Sequence, residues 1–77
     1  MRITKKYLLA RVERINNLMK TENYILSQQC GGYSLHYVYP SSAQEDIFNC
    51  GHISMRELDA RIEGFIRGVW AEREVNA

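Results

Sequence analysis

The apolar residues of this chain change their spacing twice, from helical to alternating and back to helical. That order restricts the fold to a helix, a small sheet and a second helix. Near the start, Leu8, Val12, Ile15 and Met19 fall at i, i+4, i+7 and i+11, one apolar stripe along a helix. Thr4 stands where an N-cap is expected, and Ile3 and Leu8 have the spacing of a hydrophobic staple. Asn16-Asn17 and Thr21-Glu22-Asn23 weaken the pattern, so the spacing predicts a helix over residues 4–20. The period then becomes two. Residues 24–29 and 33–39, rich in aromatic and β-branched side chains, read as strands around Cys30-Gly31-Gly32, whose glycines supply the positive φ of a tight hairpin. Pro40 ends the second strand, residues 43–45 read as loop and residues 46–50 as a short third strand. Ser54-Met55-Arg56-Glu57 is a capping box opening a helix over residues 55–74. Leu58, Ile62, Phe65, Ile66 and Val69 form its core stripe, with Trp70 at the edge, and Glu57–Arg61 and Glu63–Arg67 are spaced as i,i+4 ion pairs.

These elements predict a single α+β domain over residues 1–77: helix, three-stranded antiparallel meander, helix, with both helices on one face of the sheet. Alternation puts Tyr33, Leu35, Tyr37 and Tyr39 on one side of the second strand, taken as the core side with tyrosine hydroxyls at the rim. Ser34, His36 and Val38 lie on the other side, which this arrangement leaves to water or to a partner.

At 77 residues the core is small, and a core of that size rarely supplies more than about 3–5 kcal/mol unaided. Cys30 and Cys50 are the only cysteines and no apolar leader precedes the first helix, so free thiols in a reducing cytosol are expected. No apolar run is long enough to span a membrane. Ten Lys and Arg against nine Asp and Glu leave a net charge of +1, too little basic excess to make nucleic acid the expected partner. Arg2, Lys5, Lys6, Arg11 and Arg14 crowd the start, where they read as a solvated helix face.

No catalytic constellation emerges. Cys30, Cys50, His36 and His52 are the only thiols and imidazoles, and their spacing matches no common zinc module, so neither a metal nor a cofactor is expected. Gly31-Gly32 leads into a strand rather than a helix, which excludes a phosphate loop, and Glu45-Asp46 and Glu57-Asp59 are explained by a loop and a helix start. One pattern stands out. Ala60, Gly64, Gly68 and Ala71 share a stripe opposite the core stripe of the last helix, flanked by Arg61 and Arg67. Two glycines in an exposed helix cost about 1 kcal/mol each relative to alanine. The stripe therefore reads as a close-approach surface for a homodimer or another partner, unless the glycines are simply tolerated or relieve crowding against the first helix.

The segments Met1-Arg2-Ile3-Thr4-Lys5-Lys6-Tyr7-Leu8, Arg14-Ile15-Asn16, Cys30-Gly31-Gly32-Tyr33-Ser34-Leu35-His36 and Gly51-His52-Ile53-Ser54-Met55-Arg56-Glu57-Leu58 resemble, in order, a group of small proteins of tailed bacteriophages and prophages. Members have an N-terminal helix, a glycine-pair hairpin and a C-terminal helix opened by an Arg-Glu-Leu motif. The resemblance implies a viral origin, a host cytoplasm and a non-enzymatic protein that binds and modulates a host protein, for instance an anti-CRISPR-like inhibitor of host defence. The alternative expectation is a binder that sequesters a nucleotide-like signalling molecule, using basic residues of the first helix and tyrosines of the sheet.

Overall fold

The computed structural model describes residues 2–76, and side chains through residue 72, so the first and last residues of the expected 1–77 domain lie outside the described residues. The element order is α1 (Lys5–Met19), β1 (Tyr24–Gln29), β2 (Gly32–Val38), β3 (Gln44–Asp46) and α2 (Met55–Asn76). The strands form one antiparallel sheet in the order β1-β2-β3. This is the α+β fold read from the periodicity.

Both helices start where their capping residues stand. Thr4 Oγ1 accepts from the Tyr7 amide at 3.1 Å, and Ser54 Oγ accepts from the Glu57 amide at 3.2 Å while donating to the Glu57 carboxylate. Helix α1 stops at Lys20, whose φ of 55° turns its N–H back onto the Asn16 and Asn17 carbonyls. Asn16 does more than weaken the helix. Its side-chain amide accepts from the Tyr24 N–H at 2.9 Å and donates to the Tyr24 carbonyl at 3.0 Å, clamping the end of α1 to the start of β1.

The core is a single cluster of Leu8, Val12 and Ile15 from α1, Leu35 from β2, and Leu58, Ile62 and Ile66 from α2, with Leu26, Tyr24, Tyr33 and Phe65 packed against it. The helices therefore cover the sheet face that carries Leu35, as the alternation predicts. Each stripe ends earlier than expected: Met19 is 41% exposed, and Phe65 and Val69 are half-buried. Arg11 is not part of a solvated basic face. It is half-buried between the helices, with Nη2 2.5 Å from Glu63 Oε2 and Nε 3.4 Å from Asp59 Oδ1. The second contact is an ion pair without hydrogen-bond geometry. Glu63 also takes Arg67 Nε at 3.0 Å, the expected i,i+4 pair.

Three local expectations are corrected. The β1–β2 turn is made by Cys30 (φ 52°) and Gly31 (φ 79°), a two-residue hairpin loop. Gly32 already belongs to β2 and is needed for a different reason: a Cβ there would lie 2.9 Å from the His52 backbone. The third strand is 44–46, not 46–50, and residues 44 and 45, expected in a loop, pair with β2 as Val38↔Gln44 and Tyr37↔Glu45. The connection is a tight turn in which the Tyr39 amide bonds the Ala43 carbonyl and Ser42 adopts φ 71°. The Ile47 amide makes a last bond to the Leu35 carbonyl at 3.0 Å, Ile47 and Phe48 pack against the core, the chain turns at Asn49 (φ 51°), and it returns to β2 at the Tyr33↔Ile53 bridge. Finally, the second sheet face is not left entirely open. The excursion of residues 47–52 brings His52 over it, and Ser34 on that face is fully buried.

Candidate functional site

Two places on this scaffold gather chemically capable side chains, one on each face of the sheet. On the face away from the helices, cross-strand pairing sets Ser27 beside Ser34, and His36 beside Asp46. His52 Nε2 and Ser27 Oγ share a 2.8 Å hydrogen bond, a separation suited to a nucleophile and its base. The surrounding bonds point to structure instead. Asp46 Oδ1 accepts from Ser34 Oγ at 3.0 Å and Oδ2 from the Gly51 amide at 2.8 Å, while His36 Nδ1 donates to Gln44 rather than supporting His52. Burial works against the Asp46 carboxylate, but the Gly51 amide, the Ser34 hydroxyl, the Phe48 amide and the His36 charge together hold its pKa below the usual value. Among the described residues no group of three or more His, Cys, Asp or Glu is placed to hold a metal ion. This network fastens the 47–52 excursion to the sheet.

On the helix face, a cavity of about 430 Å³ opens where α1 ends and the strands continue beyond it, lined by Met19, Thr21, Tyr24, Tyr37, Tyr39, Glu45 and Ile47. Its volume lies in the range of small-ligand sites, about 300–1,000 Å³. The Asn16 clamp fixes the backbone of Tyr24, and cross-strand pairing places Tyr37 against it, rings edge to face with centroids 5.0 Å apart. Tyr39 meets Tyr37 in the same way at 4.9 Å. Phe65 joins Tyr24 to Phe48 beneath, so the aromatic wall is continuous with the core. The hydroxyls reach the rim: Asn23 Nδ2 donates to Tyr37 at 3.2 Å, and Tyr39 donates a short hydrogen bond to Glu45 Oε2. That bond to Glu45, with the carboxylate charge, holds the Tyr39 phenol above its ordinary pKa. Burial does the same for Tyr24, helped by Tyr37 and Glu45. Glu45 is the one acidic residue among those lining the cavity, and no lysine or arginine is among them.

The residues singled out as an interface from sequence lie elsewhere. Ala60, Arg61, Gly64, Arg67, Gly68 and Ala71 are all exposed on α2. A Cβ at Gly64 or Gly68 would meet nothing within 4 Å, so neither glycine relieves crowding against α1. Arg67 is engaged by Glu63 of its own helix. Cys30 is exposed, Cys50 is half-buried, and both are free thiols. Among the described residues no helix is long and apolar enough to cross a membrane. Sequence reasoning found Tyr37 and Tyr39 through their alternation with Leu35 but missed Tyr24 and Glu45, because their facing depends on the β1–β2 and β2–β3 registers that their own residue types do not signal. The chain matches no protein family, no curated protein and no solved structure with which it was compared.

Proposed function

We propose that this chain is a non-enzymatic interaction protein that binds and modulates a host protein, with a phage origin and a host defence system as the setting its sequence resemblance suggests. The observation that supports this reading is the open, tyrosine-lined cavity. It presents aromatic surface on a domain whose serine, histidine and aspartate side chains on the other sheet face are engaged in holding a loop. Tyrosine combines a large apolar ring with a hydroxyl that tolerates water, which is why it is enriched where proteins meet. The exposed small-residue face of α2, beside a Trp70 that is 44% exposed, is the surface by which a second copy would associate.

Native mass spectrometry of the tagged protein recovered from host cells tests the reading. One protein bound in stoichiometric amount is the expected outcome. A chain that emerges alone overturns it, and one that carries only a small molecule overturns it in favour of the sequestering alternative.

A further inference from the structure

We infer that the cavity bounded by Tyr24, Tyr37, Tyr39 and Glu45 is a receptor for a guanidinium group, and that its occupant is an arginine side chain on the surface of the bound partner. The inference rests on the interaction reading above and names the chemistry of that contact.

Charge decides the class of ligand. The cavity wall contains one carboxylate and neither lysine nor arginine. A phosphate or a nucleotide would meet Glu45 with no compensating cation, and a wholly apolar ligand would strip water from the carboxylate without replacing its hydrogen bonds. A cation does neither. The rings add to the attraction, because the π faces of tyrosine are negative and hold a cation within about 6 Å of the ring centre. Three tyrosines in successive near-perpendicular contacts, at 72° and 71° between planes, set aromatic rings in alternating orientation along one wall.

Geometry then favours guanidinium over ammonium. Glu45 Oε2 is occupied by the Tyr39 hydroxyl, and among the described residues Oε1 accepts no hydrogen bond. The carboxylate is thus held by one phenol and keeps a second oxygen able to accept. A planar guanidinium can stack on a ring while its N–H groups reach a carboxylate at its edge, an arrangement a tetrahedral ammonium cannot reproduce. Met19, Thr21 and Ile47 at the remaining walls suit the methylene stem of such a side chain. The site is also built in advance. Asn16 holds the Tyr24 backbone, Asn23 holds the Tyr37 hydroxyl, and Glu45 holds Tyr39, so little ordering remains to be done on binding.

The purified full-length protein is titrated with arginine blocked at both ends, and in parallel with blocked citrulline, which has the same shape without the charge. The tyrosine ring signals are followed by NMR. Blocked arginine should shift the rings of Tyr24, Tyr37 and Tyr39 saturably, and citrulline should not. Glu45→Gln, which preserves the acceptor for Tyr39, should weaken binding about tenfold. Tyr39→Leu, at a residue 41% exposed and therefore tolerant of substitution, should weaken it as well. Equal responses to arginine and citrulline, no ring response to arginine, or unchanged affinity in both variants each overturn the inference. A stoichiometric protein complex that persists when arginine fails to bind sinks the guanidinium site and leaves the interaction reading standing. Saturable arginine binding with no complex in host cells does the reverse.

Discussion

The two faces of the sheet spend their side chains in opposite ways. On the helix face Leu35 is roofed by two helices and becomes core, with Leu26 packed against that core, but α1 turns aside at Lys20 while β2 runs on, so Tyr24, Tyr37 and Tyr39 are only partly covered. On the other face there is no helix, and a loop covers Ser27 and Ser34 through hydrogen bonds rather than apolar contact. Polar residues on that face are satisfied internally, and aromatic residues on this one are left available. Open aromatic surface in so small a domain thus arises where a covering helix ends, not where the reactive residue types cluster.

The largest expected effect breaks the helix face. Ile62 of α2 is fully buried in the cluster it forms with the α1 stripe and Leu35, so Ile62→Ala should cost about 3–4 kcal/mol and unfold much of the protein at ambient temperature. Phe65→Ala should cost visibly less, because Phe65 is half-buried against Tyr24 and Phe48. Chemical denaturation of both variants checks the order, and a more damaging Phe65→Ala would relocate the core toward the cavity.

Next comes the contact between the loop and the sheet. Gly32→Ala would push a methyl group to 2.9 Å from the His52 backbone, lifting the loop and the Ser27–His52 bond with it, at a cost of about 1–3 kcal/mol. Slower thermal melting of the parent than of Gly32→Ala is the expected reading. If the variant melts with the parent, the loop yields freely and does not fasten that face.

The same face should carry an acid sensitivity. Asp46 has a folded-state pKa depressed by the hydrogen bonds it accepts, despite its partial burial. A depressed carboxylate contributes stability that is present above its ordinary unfolded pKa and lost as pH falls through its folded value. Stability measured from neutral pH downward should therefore decline below the ordinary carboxylate range. Asp46→Asn, which does not titrate, should decline less. Glu63, depressed by its hydrogen bonds from Arg11 and then Arg67, contributes with the same sign from the helix side, and the residual slope in Asp46→Asn measures that share.

The smallest effect lies outside both faces. Gly64→Ala adds a methyl group in open space on α2 and should stabilise the monomer by up to about 1 kcal/mol. If α2 is also a dimer surface, sedimentation of this variant should show weaker self-association. A destabilised monomer would mean that the helix face wraps further round α2 than its burial pattern indicates.

Much of this was legible in the sequence, and what was not shares a cause. Thr4, Ser54 and the two apolar stripes act within a turn or two of themselves, and they located both helices and the covered face. The hairpin between β1 and β2 was legible in the same way. The third strand was not, because Gln44 and Glu45 become strand only by pairing with β2, while Ile47 and Phe48 resemble a strand but are apolar to fill the core from a turn. Gly32 looked like a turn residue, since nothing local announces the arrival of His52 above it. Glu45 at the cavity and His52 on Ser27 are both products of long-range register.

The detour at residues 47–52 also governs how this sheet behaves toward copies of itself. On the β3 side the ladder ends with the Ile47 amide on the Leu35 carbonyl, the chain then bulges away, and Ile53 rejoins β2 at Tyr33. That side offers an incoming chain no continuous row of amides and carbonyls to template on. Strand addition, whether in a filament or in an aggregate formed under stress, is thereby confined to the β1 margin. There the row is six residues long and ends in the exposed, uncharged pair Gln28-Gln29, so a single lysine placed in that pair is the change that would guard both margins of the sheet at once.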